Sequence, residues 1–238
     1  ITRDIEWGVE VPLKNYEEKR IYVWFEAVIG YLSASIEWAK SSNNLSQNKE
    51  LWKEWWINPE SKHFYFQGKD NIPFHTIILP AILMGAGEYN LPYDVVANEY
   101  LNFSGKQFSK SENWAVWVSD FLKEYDSESL RYYLSSIMPE SSDSDFTWDS
   151  FFDSNNNELV ATFGNLVNRI QSLIKSNFNN VVPQNKNLDE IDNNMIADIK
   201  KSFESTGNFL EKRQFRNGLK EIMNLAKLGN RYIDQKEP

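Results

Sequence analysis

The sequence predicts an α/β region built on a parallel sheet, followed by an all-α region, and three observations carry that expectation. Short β-rich runs alternate with helix-like stretches through roughly the first 120 residues, the apolar spacing becomes helical beyond about residue 115, and a polar, turn-rich connector at 139–150 separates two groups of helices. Strand, helix, strand, helix, strand in that order calls for crossover connections, which is how parallel sheets are wired.

The runs RIYVWF (20–25), KHFYFQGKD (62–70) and DVVANEYLNF (94–103) are rich in β-branched and aromatic residues and read as the strands. Helix-like stretches lie between them near 27–39, 49–56 and 72–88. Ligands of such sheets collect at the carboxyl ends of strands. WFEAVIGY, QGKDNIPFH and SGKQFSKS fall at or after those three ends. Next come the helical patterns WAVWVSDFLKEY and DSESLRYYLSSIM, the second opened by an Asp/Ser cap signal and closed before Pro139. Three longer helices follow at 155–177, 191–210 and 213–233, each with apolar residues three or four apart, the stripe of a bundle. The loop NNVVPQNKN links the first two.

At 238 residues, 41% hydrophobic and 15% aromatic, the composition is globular. There is no run of eighteen apolar residues, and ITRDIEWGVEVP has neither the charged start nor the apolar centre of a signal peptide, so a cytoplasmic protein is expected. Zero cysteines exclude disulfides and thiolate metal sites, and two histidines, His63 and His75, are too few for an imidazole cage. Any metal would be Mg²⁺ carried mostly by a substrate's phosphates. The formal charge of −9 argues against a general nucleic-acid coat. That acidity sits in residues 1–150, with 13 basic and 23 acidic residues, whereas 151–238 carry 12 and 11. A cluster at Lys200, Lys201, Lys212, Arg213, Arg216 and Lys220 could approach a polyanion on one face, although a solvated face is the ordinary alternative.

Several constellations could carry chemistry. Lys110, flanked by Ser109 and Ser111 in a Gly/Ser-rich segment, offers a charge among directional donors, a usual way to hold phosphate. On local composition alone a plain solvated surface loop is the more ordinary reading. In GKDNIPFH, Gly68 lets backbone approach a ligand and Asp70 could cap the following helix or bond a ribose hydroxyl. His75 lies one turn into that helix, where a satisfied core histidine is the bland alternative to a pocket wall. Trp24, Phe25 and Tyr31 surround the small Ala27 and Gly30, which is core packing or else an apolar pocket with one hydroxyl handle. Asn165 and Arg169, four apart on one helix edge, suit base edges and stacking, or are simply exposed.

In order along the chain, TRDIEWGVEVP, YVWFEAVIGY, FQGKDNIPFH, QFSKS, LRYYLSSIMPESSDSDFTW, NLVNR and EIMNLAKLGNRYIDQKEP resemble the C-terminal two thirds of class I aminoacyl-tRNA synthetases. Within that class they are similar to the methionyl-tRNA synthetases, most of all the archaeal and eukaryotic branch. The resemblance implies the second half of a Rossmann-type catalytic domain over 1–118, a connector and stem-contact region over 119–150, and a helical anticodon-binding domain over 151–238. It implies methionine-tRNA ligase activity: methionine and ATP with Mg²⁺ give methionyl-adenylate, and the methionyl group then passes to tRNA(Met).

By the same resemblance Lys110, with Ser109 and Ser111 shaping its loop, would stabilise the transferring phosphates. Gly68 and Asp70 would contact the nucleotide, Asp70 at the ribose. Trp24, Ala27, Tyr31, Phe74 and His75 would form the methionine pocket, with Tyr31 toward the thioether, and Asn165 and Arg169 would read the CAU anticodon. Gln107 stands where the signature loop has its first lysine, with Lys106 one place earlier; Phe108 replaces the loop's methionine, and Glu26 and Val28 stand where Asp-Ala-Pro is common.

The family's first half-fold with its histidine motif, its zinc-bearing connective domain and the tryptophan beyond QKEP have no counterpart in these residues. A fragment that forms no methionyl-adenylate alone is therefore expected, with no zinc in this chain. Two alternatives stay open: another class I synthetase for a small apolar amino acid, and a non-catalytic tRNA-binding module on a synthetase scaffold.

Overall fold

HFYFQG places successive residues on opposite faces of a strand, and in the computed structural model it forms part of the first of two compact units, Ile1–Asn98 and Glu99–Pro238. The structure describes residues 2–41, 45–184 and 187–236. Residues 185 and 186 of the NNVVPQNKN connector, and the last two of QKEP, lie outside these.

In the first unit β1 (Thr2–Arg3) pairs antiparallel with β2 (Arg20–Ile21). The strand expected over 20–25 ends there, because the chain turns at Tyr22 and Val23–Ala27 is a short helix, α1. Helices α2 (Gly30–Lys40) and α3 (Lys53–Trp56) follow. The aromatic composition of RIYVWF suggested a strand, but α1 packs against the turn at Phe74–Ile78, and tertiary context overrides propensity. The expected parallel pairing is made by β3 (His63–Gly68) and β4 (Pro92–Asn98), in register from Phe64–Asp94 to Gly68–Asn98.

Their crossover holds a 3₁₀ turn at Lys69–Asn71, a wide turn at Phe74–Ile78, and α4 (Leu79–Ala86). Pro80 cannot donate to the carbonyl four residues back and its ring crowds that carbonyl. The widened turn, in which Leu79 N–H reaches Phe74 O, accommodates it. Val28, Trp56, Tyr65, Leu79 and Leu83 form the core of this unit.

The run 94–103 is two strands rather than one. After Asn98 the backbone leaves β3: Glu99 N–H donates to Pro139 O at 2.8 Å and Tyr100 N–H to Asp143 Oδ1 at 2.9 Å. The second unit therefore begins with β5 (Leu101–Phe103), flanked by β6 (Lys106–Gln107), antiparallel, and β7 (Ser144–Phe146), parallel. The polar stretch 139–150 is thus more than a connector. It supplies β7, and Asp145 accepts from Gly105 N–H at 3.0 Å. The two compact units divide at Asn98/Glu99.

Helix α5 (Val118–Glu124) precedes α6 (Ser127–Ser136), whose cap, Asp126, accepts from the Glu128 and Ser129 N–H groups at 2.9 Å. Phe121, Leu130, Tyr133, Phe146 and Phe151 form the core. Helix α7 (Trp148–Ser154) runs into wide turns at Asn155–Gly164 and then α8 (Asn165–Asn177), so the first long helix begins earlier than 155. The others are α9 (Glu190–Glu211) and α10 (Phe215–Lys236). Gly218, Met223, Ala226, Gly229 and Ile233 are the buried stripe of α10. A Cβ at Gly229 would lie 2.9 Å from Leu166 Cδ2, so glycine permits the approach of α10 to α8. Among the described residues no helix is long and apolar enough to cross a membrane.

The α9 cap is braced by α10. Asp189 and Asp192 make a reciprocal capping box, and the buried Asp192 accepts from Tyr232 OH at 2.7 Å and Lys236 Nζ at 3.1 Å. The Tyr232 hydroxyl first, then the Asp189 N–H and the Lys236 ammonium, hold the Asp192 carboxyl well below the usual carboxylate range. A depressed carboxylate stabilises the fold fully above its unfolded value of roughly 3.9 and progressively less as pH falls below it. Lys236, raised by Asp189 and then Asp192, stabilises below its unfolded value of roughly 10.4 and less as pH rises beyond. Asp192→Asn should therefore lower the melting temperature at neutral pH and flatten its fall between roughly pH 4.5 and 2.5. A variant that kept the parent's acid slope would contradict this.

Candidate functional site

In the first unit the crossover after β3 gathers most of the residues expected to meet a ligand. Gly68 ends the strand with φ −76° and ψ 151°, and a Cβ built on it would meet nothing within 4 Å. Neither backbone conformation nor packing among the described residues demands glycine there; open space over bare backbone is what a closely approaching ligand uses. Asp70 is exposed in the turn that follows.

His75 is buried, with 3% exposure. Its Nδ1 lies 3.0 Å from Asn71 O and its Nε2 2.9 Å from Tyr31 OH. A carbonyl only accepts, so Nδ1 carries a proton; in the neutral ring Nε2 is then the acceptor, and Tyr31 donates to it. Tyr31, Tyr65 and His75 form a triangle of rings with centroids 5.3, 5.4 and 5.6 Å apart. Burial pushes the Tyr65 phenol up to about 12, so that ring stays neutral. Trp24 stacks on Phe74 at 4.8 Å and 17°. Ala27 is exposed at the end of α1. Tyr31 keeps 46% exposure and lines an open cavity of about 440 Å³ with Trp56, His63, Phe64, Tyr65 and Phe66.

The structure thus joins Tyr31 to His75 and Trp24 to Phe74, and adds two residues that sequence reasoning passed over. Tyr65 could have been found from strand alternation, which puts it on the face of His63 and Gln67. Asn71 precedes His75 by four residues, the spacing at which a helical carbonyl meets a side chain.

In the second unit Ser104 and Gly105, with φ of 49° and 79°, make the two-residue turn from β5 to β6. A second turn follows, closed by mutual 2.9 Å hydrogen bonds between the Ser109 and Trp114 backbones, with Asn113 left-handed at φ 53°. Ser109 Oγ lies 3.2 Å from Ser111 Oγ and accepts from Glu112 N–H at 3.3 Å. Lys110 is exposed on this turn and enters no ion pair among the described residues. Lys106, by contrast, is on β6 with its ammonium 5.5 Å from the Trp114 ring centroid. Phe108 stacks on Phe103 at 5.8 Å, an apolar anchor for the loop.

Asn165 and Arg169 are tied to α10 rather than merely exposed. Asn165 Nδ2 donates to Asn230 Oδ1 at 3.0 Å, and Arg169 donates from NH1 to Asn230 O at 3.3 Å and from NH2 to Asp234 Oδ1 at 2.5 Å. With Thr162, Lys227 and Arg231 these four residues line an open cavity of about 390 Å³. Asn230 and Asp234 were not foreseen, although GNRYID sets them four apart on one helical edge.

A family model described as "tRNA synthetases class I (M)" matches residues 1–171. The chain belongs to that family. The methionine–tRNA ligase of Thermomicrobium roseum is 50% identical over all of this chain and 40% of that protein. The methionine–tRNA ligase of Pyrococcus furiosus is 45% identical over all of this chain and 34% of its own length. Among solved structures, Mycobacterium tuberculosis methionyl-tRNA synthetase in complex with methionyl-adenylate superposes with a TM-score of 0.81 at 25% identity, covering 100% of this chain and 44% of that one. The parallel strands and helices described above are therefore a methionyl-tRNA synthetase fold. The chain spans about two fifths of the length of the first of these relatives.

Proposed function

We propose that this chain is the part of a methionine–tRNA ligase that carries the methionine side-chain pocket, the mobile phosphate loop and the anticodon-facing helices. The observation that carries the reading is the Tyr31–His75–Asn71 relay within a wall of rings, one turn beyond Gly68 and Asp70. A thioether is a polarizable neighbour for rings and needs no donated hydrogen, which matters because the Tyr31 hydrogen is already given to His75. It suits an apolar wall whose one polar edge is a tyrosine hydroxyl already fixed by a histidine. The ligases named among the relatives support methionine over another small apolar amino acid.

The substrates of the whole protein would be L-methionine, ATP as its Mg²⁺ complex, and tRNA(Met), with a cytoplasmic location in keeping with translation. Gly68 backbone and Asp70 would hold the nucleotide, Asp70 through a ribose hydroxyl. Trp24, Ala27, Tyr31, Phe74 and His75 would enclose the side chain. Methionine's carboxylate attacks the α-phosphorus, the bond to pyrophosphate breaks, and Lys110 stabilises charge on the departing phosphates, with Ser109 and Ser111 shaping its turn. The methionyl group then passes to the tRNA 3′ end while Asn165 and Arg169 meet the anticodon. Functionally, 1–118 would serve the catalytic half, 119–150 the connection and stem contact, and 151–238 the anticodon.

The test is amino-acid-dependent ATP–pyrophosphate exchange by the whole protein: methionine should support it and isoleucine, leucine and valine should not. Comparable exchange with any of those three would sink the reading. Tyr31→Phe removes the hydrogen bond to His75 Nε2 that fixes the Tyr31 ring in the pocket wall, and should raise the KM for methionine by roughly 2- to 10-fold, the worth of one net hydrogen bond, with kcat little changed. An unaltered KM would remove Tyr31 from the pocket.

A further inference from the structure

We propose that Asn230 is a positioning residue that sets base selectivity at the Asn165–Arg169 pair, favouring a base edge with an exocyclic amino group beside ring acceptors, as in cytosine, over the edge of uracil. This rests on the proposed anticodon role of that pair. Asn230 Nδ2 donates to Thr162 O at 2.9 Å and to Ala226 O at 3.2 Å, which uses both its hydrogens. Carbonyls only accept, so the nitrogen must face them and Oδ1 must face the other way. There Oδ1 accepts from Asn165 Nδ2 at 3.0 Å and from Arg169 NH1 at 3.4 Å.

One locked amide thereby orients the next. With its nitrogen turned to Asn230, the exposed Asn165 keeps its own Oδ1 as a free acceptor, together with one N–H. Arg169 has NH1 committed to Asn230 and one NH2 hydrogen committed to Asp234, which leaves Nε–H and the second NH2 hydrogen as donors. An acceptor beside guanidinium donors matches cytosine, whose N4 amino group donates while N3 and O2 accept. Uracil puts the O4 acceptor where cytosine donates, and so sets acceptor against acceptor. Swapping the ends of the Asn165 amide would cancel this preference, and Asn230 is the group that prevents the swap.

The experiment compares aminoacylation by the whole protein of two otherwise identical tRNAs, one with anticodon CAU and one with UAU. Asn230→Ala should reduce the ratio of their kcat/KM values by roughly tenfold, within the range one well-placed base contact is worth. Asn230→Asp, which keeps an acceptor for Asn165 but loses both donors to the carbonyls, should also lower the ratio, and it serves if the alanine variant fails to fold. A merely structural role would slow both tRNAs alike, so a ratio within twofold of the parent in both variants overturns the proposal. Asn165→Ala and Arg169→Gln separate the two levels. If they too leave the ratio unchanged, the anticodon reading itself fails; if they collapse it while the Asn230 variants do not, only the positioning role fails.

Discussion

Replacing Lys110 with alanine in the whole protein should slow methionine-dependent ATP–pyrophosphate exchange by about 10²- to 10³-fold, the usual loss when one preorganised donor to a developing oxyanion is removed. Methionine affinity should change by no more than about twofold, because a group acting only on transferring phosphates affects the transition state far more than the ground state. The setting of this lysine is compatible with the phosphate role proposed for it. The Ser109–Trp114 closure and left-handed Asn113 hold a tight turn, and Lys110 projects from it without an ion pair among the described residues. Lys106 is the internal comparison: its ammonium lies over the Trp114 ring, so Lys106→Ala should cost much less. Exchange within tenfold of the parent in the Lys110 variant would remove this residue from the chemistry.

The largest effect on stability is expected at Phe151. The side chain is 1% exposed, and its ring centroid lies 5.3 Å from Phe121 and 5.7 Å from Tyr133, both edge-on. Truncating a phenylalanine in such a core removes transfer energy and leaves a cavity, at about 3–5 kcal/mol. In a unit of this size that should lower its melting temperature by roughly ten degrees. Phe152, next in the chain but 38% exposed, provides the control, and its alanine variant should cost far less. If both variants melted alike, burial at Phe151 would not be what holds β7, α6 and α7 together.

Legibility from sequence followed the range of the interactions involved. Strand β3, helices α9 and α10 and the Asp126 cap were plain, because alternation, 3.6-residue spacing and cap chemistry are local signals. The break at Glu99 was not, since it depends on Pro139 and Asp143, some forty residues away, capturing two amides that composition alone assigned to a continuing strand. RIYVWF misled for a related reason: rings favour strands on average, and only the turn at Tyr22 and packing against Phe74–Ile78 make this stretch a helix. Single residues of the candidate site could be picked out, but the groups they bond to could not. Tyr31 and His75 were each picked out, whereas the tautomer that joins them is fixed by Asn71, a backbone contact no composition signal reports.

The wide turns at Asn155–Gly164 stand immediately before Asn165. Their geometry brings the Leu159 carbonyl within 3.1 Å of where a Cβ on Gly164 would sit, so glycine closes the segment. Such a segment works as a phase-setter: it decides which way everything after it faces. Deleting one residue there would let the chain close into ordinary α-helix and turn α8 by about 100°, carrying Asn165 and Arg169 away from Asn230 with every side chain still present. On the anticodon role proposed for Asn165 and Arg169, the length of this stretch would count toward tRNA choice as much as the identity of the two residues, and losing one position should be more damaging than many substitutions.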